Sequence, residues 1–327
     1  MLALLRGAPF HGLWAGSLIF IPLPVMLVFA VFRGSSARFR WWAFQYLGVC
    51  AIAFSAALCG VLLSLLLDNV LAGRLSLLLF VLFYGFALYA AHRIHVTPLE
   101  IITPKIAEPQ RLVQISDVHI GSRPASYLEK VLALVDAQKP DMLLITGDLI
   151  DENVPAEALE PLAGLAYPVF YCSGNHERYI DYQKALDILT DLGVTVLSDA
   201  ATIKDDIHIL GVEDRQHVMQ AQDALNSLCA STQSSATGFR VLLYHQPDLW
   251  SSAIHHGIDL MLSGHTHKGQ IWPFGYLVRT RYAHVAGHFR TALNHLFVSQ
   301  GTGTWGPTLR FGTRCEMTVI ELKPEKH

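Results

Sequence analysis

The chain has 327 residues, of which 52% are apolar, and its 24 basic and 27 acidic side chains give a formal net charge of −3. This length allows one large domain or two of ordinary size. The charge is unevenly distributed, because residues 1–95 contain six Arg, no Lys and a single acid, Asp68, for a net charge of +5, which leaves −8 for the remainder. An acidic C-terminal part argues against a nucleic-acid groove, which needs a basic surface, so no nucleic-acid partner is expected.

Three apolar runs in the first part have the length and composition of membrane-spanning helices. They cover about residues 13–32, 41–67 and 75–91, and a transmembrane helix needs about 20 apolar residues. Pro22 and Pro24 would kink the first run. The absence of ionisable side chains in the middle of the runs disfavours an ion path, and with it a transporter carrying an accessory domain. We therefore predict a three-helix transmembrane anchor over residues 1–95.

The arginines predict the orientation of this anchor. The loop at 33–40 holds three Arg, whereas the segment before the first run and the loop at 68–74 hold one each. By the positive-inside rule the 33–40 loop is cytoplasmic, so the third helix returns the chain to the cytoplasm. Two alternatives stay open. A signal peptide over 1–37 is disfavoured by the long apolar run and the lack of a clean Ala-x-Ala site, and a first run that fails to span would reverse the orientation.

The five cysteines show no spacing typical of a disulfide framework or a zinc site. They are Cys50, Cys59, Cys172, Cys229 and Cys315. Such scattered thiols suit a reducing compartment or a protein that needs no disulfides. We interpret all five as ordinary buried thiols.

Beyond a Pro-containing linker at 96–110, residues 111–327 show alternating strand and helix patterns. Strands are predicted at 112–115, 141–146, 167–172, 194–197, 207–212, 239–244, 258–262, 296–299 and 316–322, with a Gly-rich turn at 301–306. Helices are predicted at 125–138, 157–165, 182–192 and 219–229. This alternation predicts an α/β domain.

Three successive predicted strands end in polar residues that could bind a metal. Asp117 and His119 follow the first strand, Asp148 follows the second in Gly-Asp-Leu-Ile-Asp, and Asn175 and His176 follow the third in Gly-Asn-His-Glu. Ligands of α/β sheets collect at the carboxyl ends of the strands. The repetition at the same topological place is the strongest signal in the sequence.

Two later strands add three histidines to this set. His245 follows the strand at 239–244, and His265 and His267 stand in Gly-His-Thr-His after the next. Carboxylate, imidazole and amide ligands without thiolate favour Mn²⁺, Fe or Zn²⁺ over a Cys-type structural zinc. The ligands are too many for one ion, and two ions sharing a carboxylate would hold a hydroxide nucleophile and neutralise a phosphoryl group. Phosphoester hydrolysis is the predicted chemistry.

The ordered series of motifs resembles the calcineurin-like metallophosphoesterase superfamily over about residues 110–323. The segment 299–312, with Gly-Thr-Gly-Thr-Trp-Gly-Pro, further resembles its bacterial membrane-associated branch. The resemblance implies a calcineurin-like four-layered α/β sandwich after the membrane anchor, a dimetal site at strand ends, and a multi-pass location in the bacterial inner membrane.

The resemblance also implies a role for each site residue. Ligands of the first metal would be Asp117, His119 and His267, the bridging ligand Asp148, the ligands of the second metal Asn175, His245 and His265, and the catalytic residue His176. The chain departs from the branch at Lys268, where Gly is usual. A lysine there would either approach a substrate phosphate as a point charge or lie solvated at the pocket rim.

Several other polar residues have weaker claims to a role. Supporting groups behind the ligands could be Asp151, Glu177, Asp181 and His284, although plain surface positions suit the last two better. Histidines without motif context are His208, His217, His255, His256, His288 and His295. We interpret these six as surface or core residues.

The sequence therefore predicts a membrane-anchored dimetal phosphoesterase that hydrolyses a phosphodiester, pyrophosphate or phosphomonoester through a metal-bridging hydroxide. Because the anchor keeps the site near lipid headgroups, we hypothesise a lipid-linked substrate. A hydrolase of UDP-2,3-diacylglucosamine is one family member that fits. The alternative is a membrane sensor or scaffold with an inactive phosphoesterase domain, which predicts missing ligands, and the motifs lack none. The ligand types suit several metals and leave monoester and diester substrates open.

Overall fold

The computed structural model describes residues 37–232 and 238–325, which form two compact units. The first unit contains the described residues up to Arg93 together with Gln270–Phe274 and Trp305–Thr313. The second unit contains the other described residues from Ile94 onward. The first predicted membrane run, 13–32, lies outside the described residues.

Two long apolar helices make up most of the first unit. They are α1 (Ala37–Leu63) and α2 (Asn69–His92). Both are long and apolar enough to cross a membrane, by length and composition. Asp68 accepts hydrogen bonds from the N–H groups of Val70 and Leu71, which gives the single acid of this part a role as the cap of α2.

Small residues form the buried face of α2. They are Ala72, Gly73, Ser76, Ala87, Ala90 and Ala91. The Ser76 hydroxyl donates a hydrogen bond to the Ala56 carbonyl of α1 over 2.9 Å. Small side chains let two helix backbones approach closely, and this kind of contact stabilises helix pairs in lipid.

The two short segments of the first unit pack on this helix pair although they lie about 200 residues later in the chain. A buried apolar cluster contains Ile52, Ala87, Ile271 and Leu309. The Arg310 N–H donates to the Ala87 carbonyl over 3.0 Å, and the Thr308 N–H donates to Gln45 Oε1 over 3.1 Å. The helix pair is thus joined to chain segments that no apolar run in the sequence predicted.

Two six-stranded sheets form the centre of the second unit. The first has the order β1-β12-β2-β3-β4-β5, with β1 at Ile94–Thr103, β2 at Gln110–Ile115, β3 at Met142–Thr146, β4 at Val169–Cys172, β5 at Thr195–Val196 and β12 at Cys315–Pro324. The second has the order β10-β11-β9-β8-β7-β6, with β6 at Ala200–Lys204, β7 at Ile207–Gly211, β8 at Phe239–Leu243, β9 at Leu260–Ser263, β10 at Gly287–Thr291 and β11 at Asn294–Val298. Strands β2 to β5 are parallel, as are β7, β8, β9 and β11.

Helices cover the outer face of each sheet and complete four layers. The covering helices are α3 (Ala125–Asp136), α4 (Tyr182–Asp191), α5 (Val218–Ser231) and α6 (Trp250–His255). A further short helix, α7 (Phe274–Arg281), has no buried residue. Apolar residues of α3 and α4 share a core with the first sheet, and those of α5 and α6 share a core with the second. A third core, with Leu112 and Leu144 on one side and Val241 and Leu262 on the other, joins the two sheets. The predicted four-layered α/β sandwich is therefore observed.

Residues 94–103, most of which fall within the predicted linker, form strand β1. This strand runs parallel to β12 at the edge of the first sheet and buries Leu99 and Ile101. Pro98 is tolerated there because an edge strand needs hydrogen bonds on one side only. Pro98, one of the three prolines that suggest a linker, is thus compatible with a strand at this position.

The prediction of a helix at 157–165 is wrong. The structure has two short 3₁₀ turns instead, Ala156–Ala158 and Glu160–Leu162. Pro161 lies in the middle of the predicted helix, where it lacks an N–H donor and clashes with the preceding turn. Apolar spacing alone predicts a helix here, and Pro161 prevents it.

Candidate metal centre

The structure brings the predicted site residues together at the carboxyl ends of the central strands. Asp117, Asp148 and Asn175 follow the parallel strands β2, β3 and β4. His245 follows β8 and His265 follows β9, which pair in parallel in the second sheet. Because the two sheets pack face to face, these loops share one end of the sandwich.

A first group of donor atoms comes from Asp117, His119 and His267. The Nε2 atoms of the two histidines are 3.1 Å apart, and His267 Nε2 is 3.3 Å from Asp117 Oδ1. All three residues are buried, and one atom of each lies within 4.8 Å of the others. Donors placed about 2.0–2.2 Å from a shared ion lie about 3.0–3.5 Å from one another, so this spacing fits a metal.

A second group comes from Asp148, His245 and His265. His245 Nε2 is 3.1 Å from Asp148 Oδ2 and 3.3 Å from His265 Nδ1. The other ring nitrogen of His245, Nδ1, lies 2.8 Å from the Thr146 carbonyl oxygen and can donate to it. This bond selects the tautomer whose Nε2 lone pair faces the site, as in metal-binding histidines.

Asn175 and His176 lie beside Asp148. The Asn175 Oδ1 atom is buried and accepts no hydrogen bond within the described part of the chain, which is consistent with a metal ligand. His176 Nε2 is 3.9 Å from Asp148 Oδ2, and the His176 ring lies edge-on to that of His119 at 4.7 Å. The His176 side chain is 15% exposed, so a substrate could reach it.

Five of these eight residues have left-handed backbone angles that side chains rarely adopt. Their φ values are 54° for Asp117, 59° for His119, 51° for Asp148, 70° for His265 and 46° for His267. Each such residue costs about 1–3 kcal/mol unless its surroundings enforce it, and strain of this kind clusters at functional sites. The backbone of the site is therefore held in place by the rest of the fold.

Two glycines let the loops approach the carboxylates. A Cβ on Gly174 would lie 2.2 Å from Asp148 Oδ1, and one on Gly264 would lie 2.2 Å from Asp117 Oδ2. Any larger residue would displace the carboxylate. This explains why glycine precedes Asn175 and His265 in the two motifs.

Glu177 fixes the two loops around Asp148 to each other. Its buried carboxylate accepts hydrogen bonds of 2.7–3.1 Å from the N–H groups of Asp148, Leu149, Ile150 and Gly174. Burial and the neighbouring Asp148 raise the pKa of Glu177 to about 7. Glu177 therefore holds the backbone on both sides of Asp148. All four hydrogen bonds come from backbone N–H groups, and none involves the side chain of a predicted ligand.

We expect Glu177→Gln to lower the free energy of unfolding by about 2–3 kcal/mol, because an amide group would leave some of the four buried N–H donors unpaired. Urea unfolding of the full chain in detergent measures this change. The matched control is Glu157→Gln, since Glu157 is exposed and should tolerate the change. Equal stability of the two variants would contradict the role of Glu177.

The other supporting candidates have different roles. Asp151 accepts a hydrogen bond from the Ser122 N–H (2.8 Å), and its other oxygen is 3.5 Å from His119 Nδ1, so it can orient that ring. Asp181 caps α4, and His284 packs edge-on against Phe289. Neither of these last two contacts is with a predicted ligand.

Lys268 has a φ of 53°. Glycine adopts this conformation freely, whereas it costs a residue with a side chain about 1–2 kcal/mol. This cost accounts for the glycine that is usual at this position in the bacterial membrane-associated branch that the sequence resembles. Its side chain is half-buried next to His267.

The structure adds polar neighbours that the motifs did not reveal. Arg178 donates to the buried Asp214, whose second oxygen accepts from Gln246 over 2.8 Å. The Tyr282 hydroxyl donates to Gln246 Oε1 over 2.7 Å, and the Tyr282 ring lies 5.3 Å from that of His265. Arg178 directly follows Gly-Asn-His-Glu and could have been suspected from that position. Tyr282 carries no signal in the sequence.

Charge interactions set the protonation of the site. Burial alone would raise the pKa of Asp148, but His245 and His176 hold it well below its usual range. Burial lowers the pKa of His176 to about 4 and that of His265 to about 3. A carboxylate and neutral imidazoles are the forms that bind metals. Burial raises the pKa of Asp117, and Asp148 raises that of His245 despite burial, so metal binding there would release protons.

Comparisons with known proteins point to the family that the sequence motifs resemble. A sequence model of calcineurin-like phosphoesterases matches residues 110–269. An uncharacterized metallophosphoesterase of Helicobacter pylori is 33% identical over 72% of this chain and 65% of its own length. The phosphodiesterase YaeI of Escherichia coli is 32% identical over 66% of this chain and 83% of its own length.

A transmembrane protein with a metallophosphoesterase domain from Danio rerio is 30% identical over 72% of this chain and 58% of its own length. The chain thus spans less than two thirds of this relative and of the one from Helicobacter pylori. The four-layered sandwich, the motif order and these similarities define one class of protein. The chain belongs to the calcineurin-like phosphoesterase family.

Proposed function

We propose that the chain is a metal-dependent phosphoester hydrolase in which Asp148 would be a ligand of both of two metal ions. The observation that carries the proposal is the arrangement of donor atoms. Asp117, His119 and His267 form one group, and His245 and His265 form another group with Asp148. The buried Asn175 Oδ1 atom accepts no hydrogen bond from the described residues, which is consistent with a role as a metal ligand. Mn²⁺, Fe or Zn²⁺ suit these ligands.

Metal ions bound there would supply a nucleophile at neutral pH and neutralise charge on the phosphoryl group. The residues of the chain perform the remaining tasks. His176, placed at the exposed side of the site, is positioned to donate its ring N–H to the leaving-group oxygen. Asp151 and the Thr146 carbonyl orient the rings of His119 and His245.

We further propose that the protein is anchored in a membrane, with the catalytic unit on the cytoplasmic side of a bacterial inner membrane, and acts on a lipid-linked phosphodiester or pyrophosphate such as UDP-2,3-diacylglucosamine. Support for anchoring comes from two helices of membrane-spanning length and from relatives in Danio rerio and Bos taurus that are named as transmembrane proteins. The name of the YaeI relative supports a diester substrate. A transmembrane anchor keeps the enzyme close to headgroups, which raises the effective concentration of a lipid-linked substrate.

The test uses the full chain in detergent after removal of metals. Mn²⁺, Fe²⁺, Zn²⁺ and Mg²⁺ are added separately, and turnover is measured for a soluble bis-aryl phosphodiester, an aryl phosphomonoester and a lipid-linked pyrophosphate. We expect no turnover without metal, recovery with Mn²⁺, Fe²⁺ or Zn²⁺, and the highest kcat/KM for the lipid-linked substrate.

Two outcomes separate the parts of this proposal. Undiminished activity of the metal-free protein would contradict the metal-dependent mechanism. Turnover of the soluble diester with the lipid-linked substrate left intact would contradict only the lipid-linked substrate.

A further inference from the structure

Helix α7 exposes three large apolar side chains in the described structure. The exposed fractions are 53% for Phe274, 66% for Tyr276 and 66% for Leu277, and none of the eight residues of the helix is buried. A helix in water is stabilised mainly by burial of its apolar face, so an eight-residue helix that buries none of its residues needs another partner.

The helix ends in basic residues. Arg279 and Arg281 lie in its last turn, after the apolar residues. Arg281 lies 3.5 Å from Asp248 and over the Tyr282 ring at 4.7 Å, whereas Arg279 is exposed. Apolar and aromatic residues combined with arginine are typical of helices that lie at the headgroup level of a membrane.

Chain connectivity limits the distance between α7 and the segment that packs on the proposed membrane helices. Ile271 belongs to the buried cluster of the first unit with Ile52 of α1 and Ala87 of α2. Tyr276 follows Ile271 by five residues, and five residues span at most about 18 Å. A bilayer that surrounds α1 and α2 is therefore within reach of Tyr276 and Leu277.

The chain at both ends of α7 lies close to residues of the candidate metal centre or to their direct neighbours. At the start, the backbone of Gly275 approaches the Lys268 carbonyl so closely that a Cβ would lie 2.9 Å from its oxygen. Immediately after the helix, Tyr282 packs edge-on against His265 and donates to Gln246. A group bound along α7 would thus lie next to the ligands of the second proposed metal.

We propose that α7 lies in the headgroup region of the bilayer that holds the anchor, with Phe274, Tyr276 and Leu277 at the acyl boundary and Arg279 at the lipid phosphates. The inference rests on the proposed membrane anchoring and deepens it, because α7 then forms the entry for a lipid-linked substrate. The tail of such a substrate remains in the bilayer beside α7, and its phosphoester reaches the site past Tyr282.

The test is spin-label accessibility in lipid nanodiscs that contain phosphatidylethanolamine and phosphatidylglycerol. Cys50 and Cys59 are replaced by Ala in the full chain because they are partly exposed, whereas the other three cysteines are buried. A nitroxide is then placed at Leu277→Cys or, in a second variant, at Tyr276→Cys. We expect the label at either position to lose collisions with a water-soluble nickel complex and to gain collisions with oxygen, relative to a label at an aqueous site.

Two reference positions make the result decisive. Met219→Cys on α5 is the aqueous reference, since Met219 is an apolar residue that is 71% exposed, and Phe54→Cys on α1 is the lipid reference, since Phe54 is 60% exposed on a proposed membrane helix. Lipid-like accessibility at Phe54 with Met219-like accessibility at Leu277 and Tyr276 would overturn the α7 proposal and leave the anchoring intact. Aqueous accessibility at Phe54 as well would overturn the anchoring. Labels at Leu277 and Tyr276 shielded from both reagents would indicate a contact with a second copy of the chain and would also overturn the proposal.

Discussion

Replacing Asp148 by Asn is expected to lower kcat/KM for a phosphodiester by more than about 100-fold. Residues that only orient metal ligands cost about 10–100-fold when they are changed, and Asp148 is proposed as the ligand shared by both ions. The amide keeps the size of the side chain and removes the negative charge that faces His245 and His176. The measurement is steady-state hydrolysis of a bis-aryl phosphodiester in the presence of the best metal.

The matched control for this change is Asp223→Asn. Asp223 is exposed on α5 and lies away from the strand ends. We expect this variant to keep the activity of the unmodified chain. Full activity of the Asp148→Asn sample would contradict the proposed mechanism. It would indicate that the measured turnover comes from a contaminant and that the phosphoesterase domain is an inactive scaffold.

Replacing His176 by Ala is expected to lower kcat by about 10²–10⁴-fold for an ester with a poor leaving group, because proton donation to the leaving oxygen contributes a factor of that size. With a p-nitrophenyl ester the loss should be much smaller, since that leaving group needs little protonation. The measurement is kcat across a series of aryl and alkyl esters. A steeper dependence on the leaving-group pKa in the variant is the expected signature.

Metal content separates the two roles that the geometry allows for His176, because its ring also lies within reach of a metal held by His119 and Asp148. The proton-donor role predicts that His176→Ala keeps its metal. Loss of metal together with an equal loss of kcat for all leaving groups would show that His176 acts as a ligand. The control is His217→Gln, because His217 is exposed at the start of α5 and has no motif context.

Sequence patterns predicted much of the sandwich because its central strands are buried on both faces and so have nearly continuous apolar sequences. For example, β3 was predicted at 141–146 and is found at Met142–Thr146. The sequence predicts a linker where edge strand β1 is found, because Pro98 within the strand and Pro104 and Pro109 after it are typical of a loop. The 157–165 helix failed because apolar spacing outweighed Pro161 in the interpretation.

The candidate site was accessible from sequence because its residues stand in short motifs at strand ends. Its supporting contacts were less accessible. Glu177 was suspected from its motif, but its four backbone hydrogen bonds depend on the way two separate loops meet. The contact of Tyr282 with His265 and the packing of Ile271 with α1 and α2 join residues that are distant in the chain or lack any pattern. Packing of this kind follows from tertiary structure and leaves no periodicity in the sequence.

We propose that one carboxylate, Asp148, would be shared by two metal ions in a hydrolytic site. The most direct measurement is the number of bound Mn, Fe and Zn ions per chain, by mass spectrometry, in the active full-length protein and in Asp148→Asn. We expect two ions in the active protein and at most one in the variant. Two ions retained in a variant of undiminished activity, or an active protein that contains no metal, would contradict it.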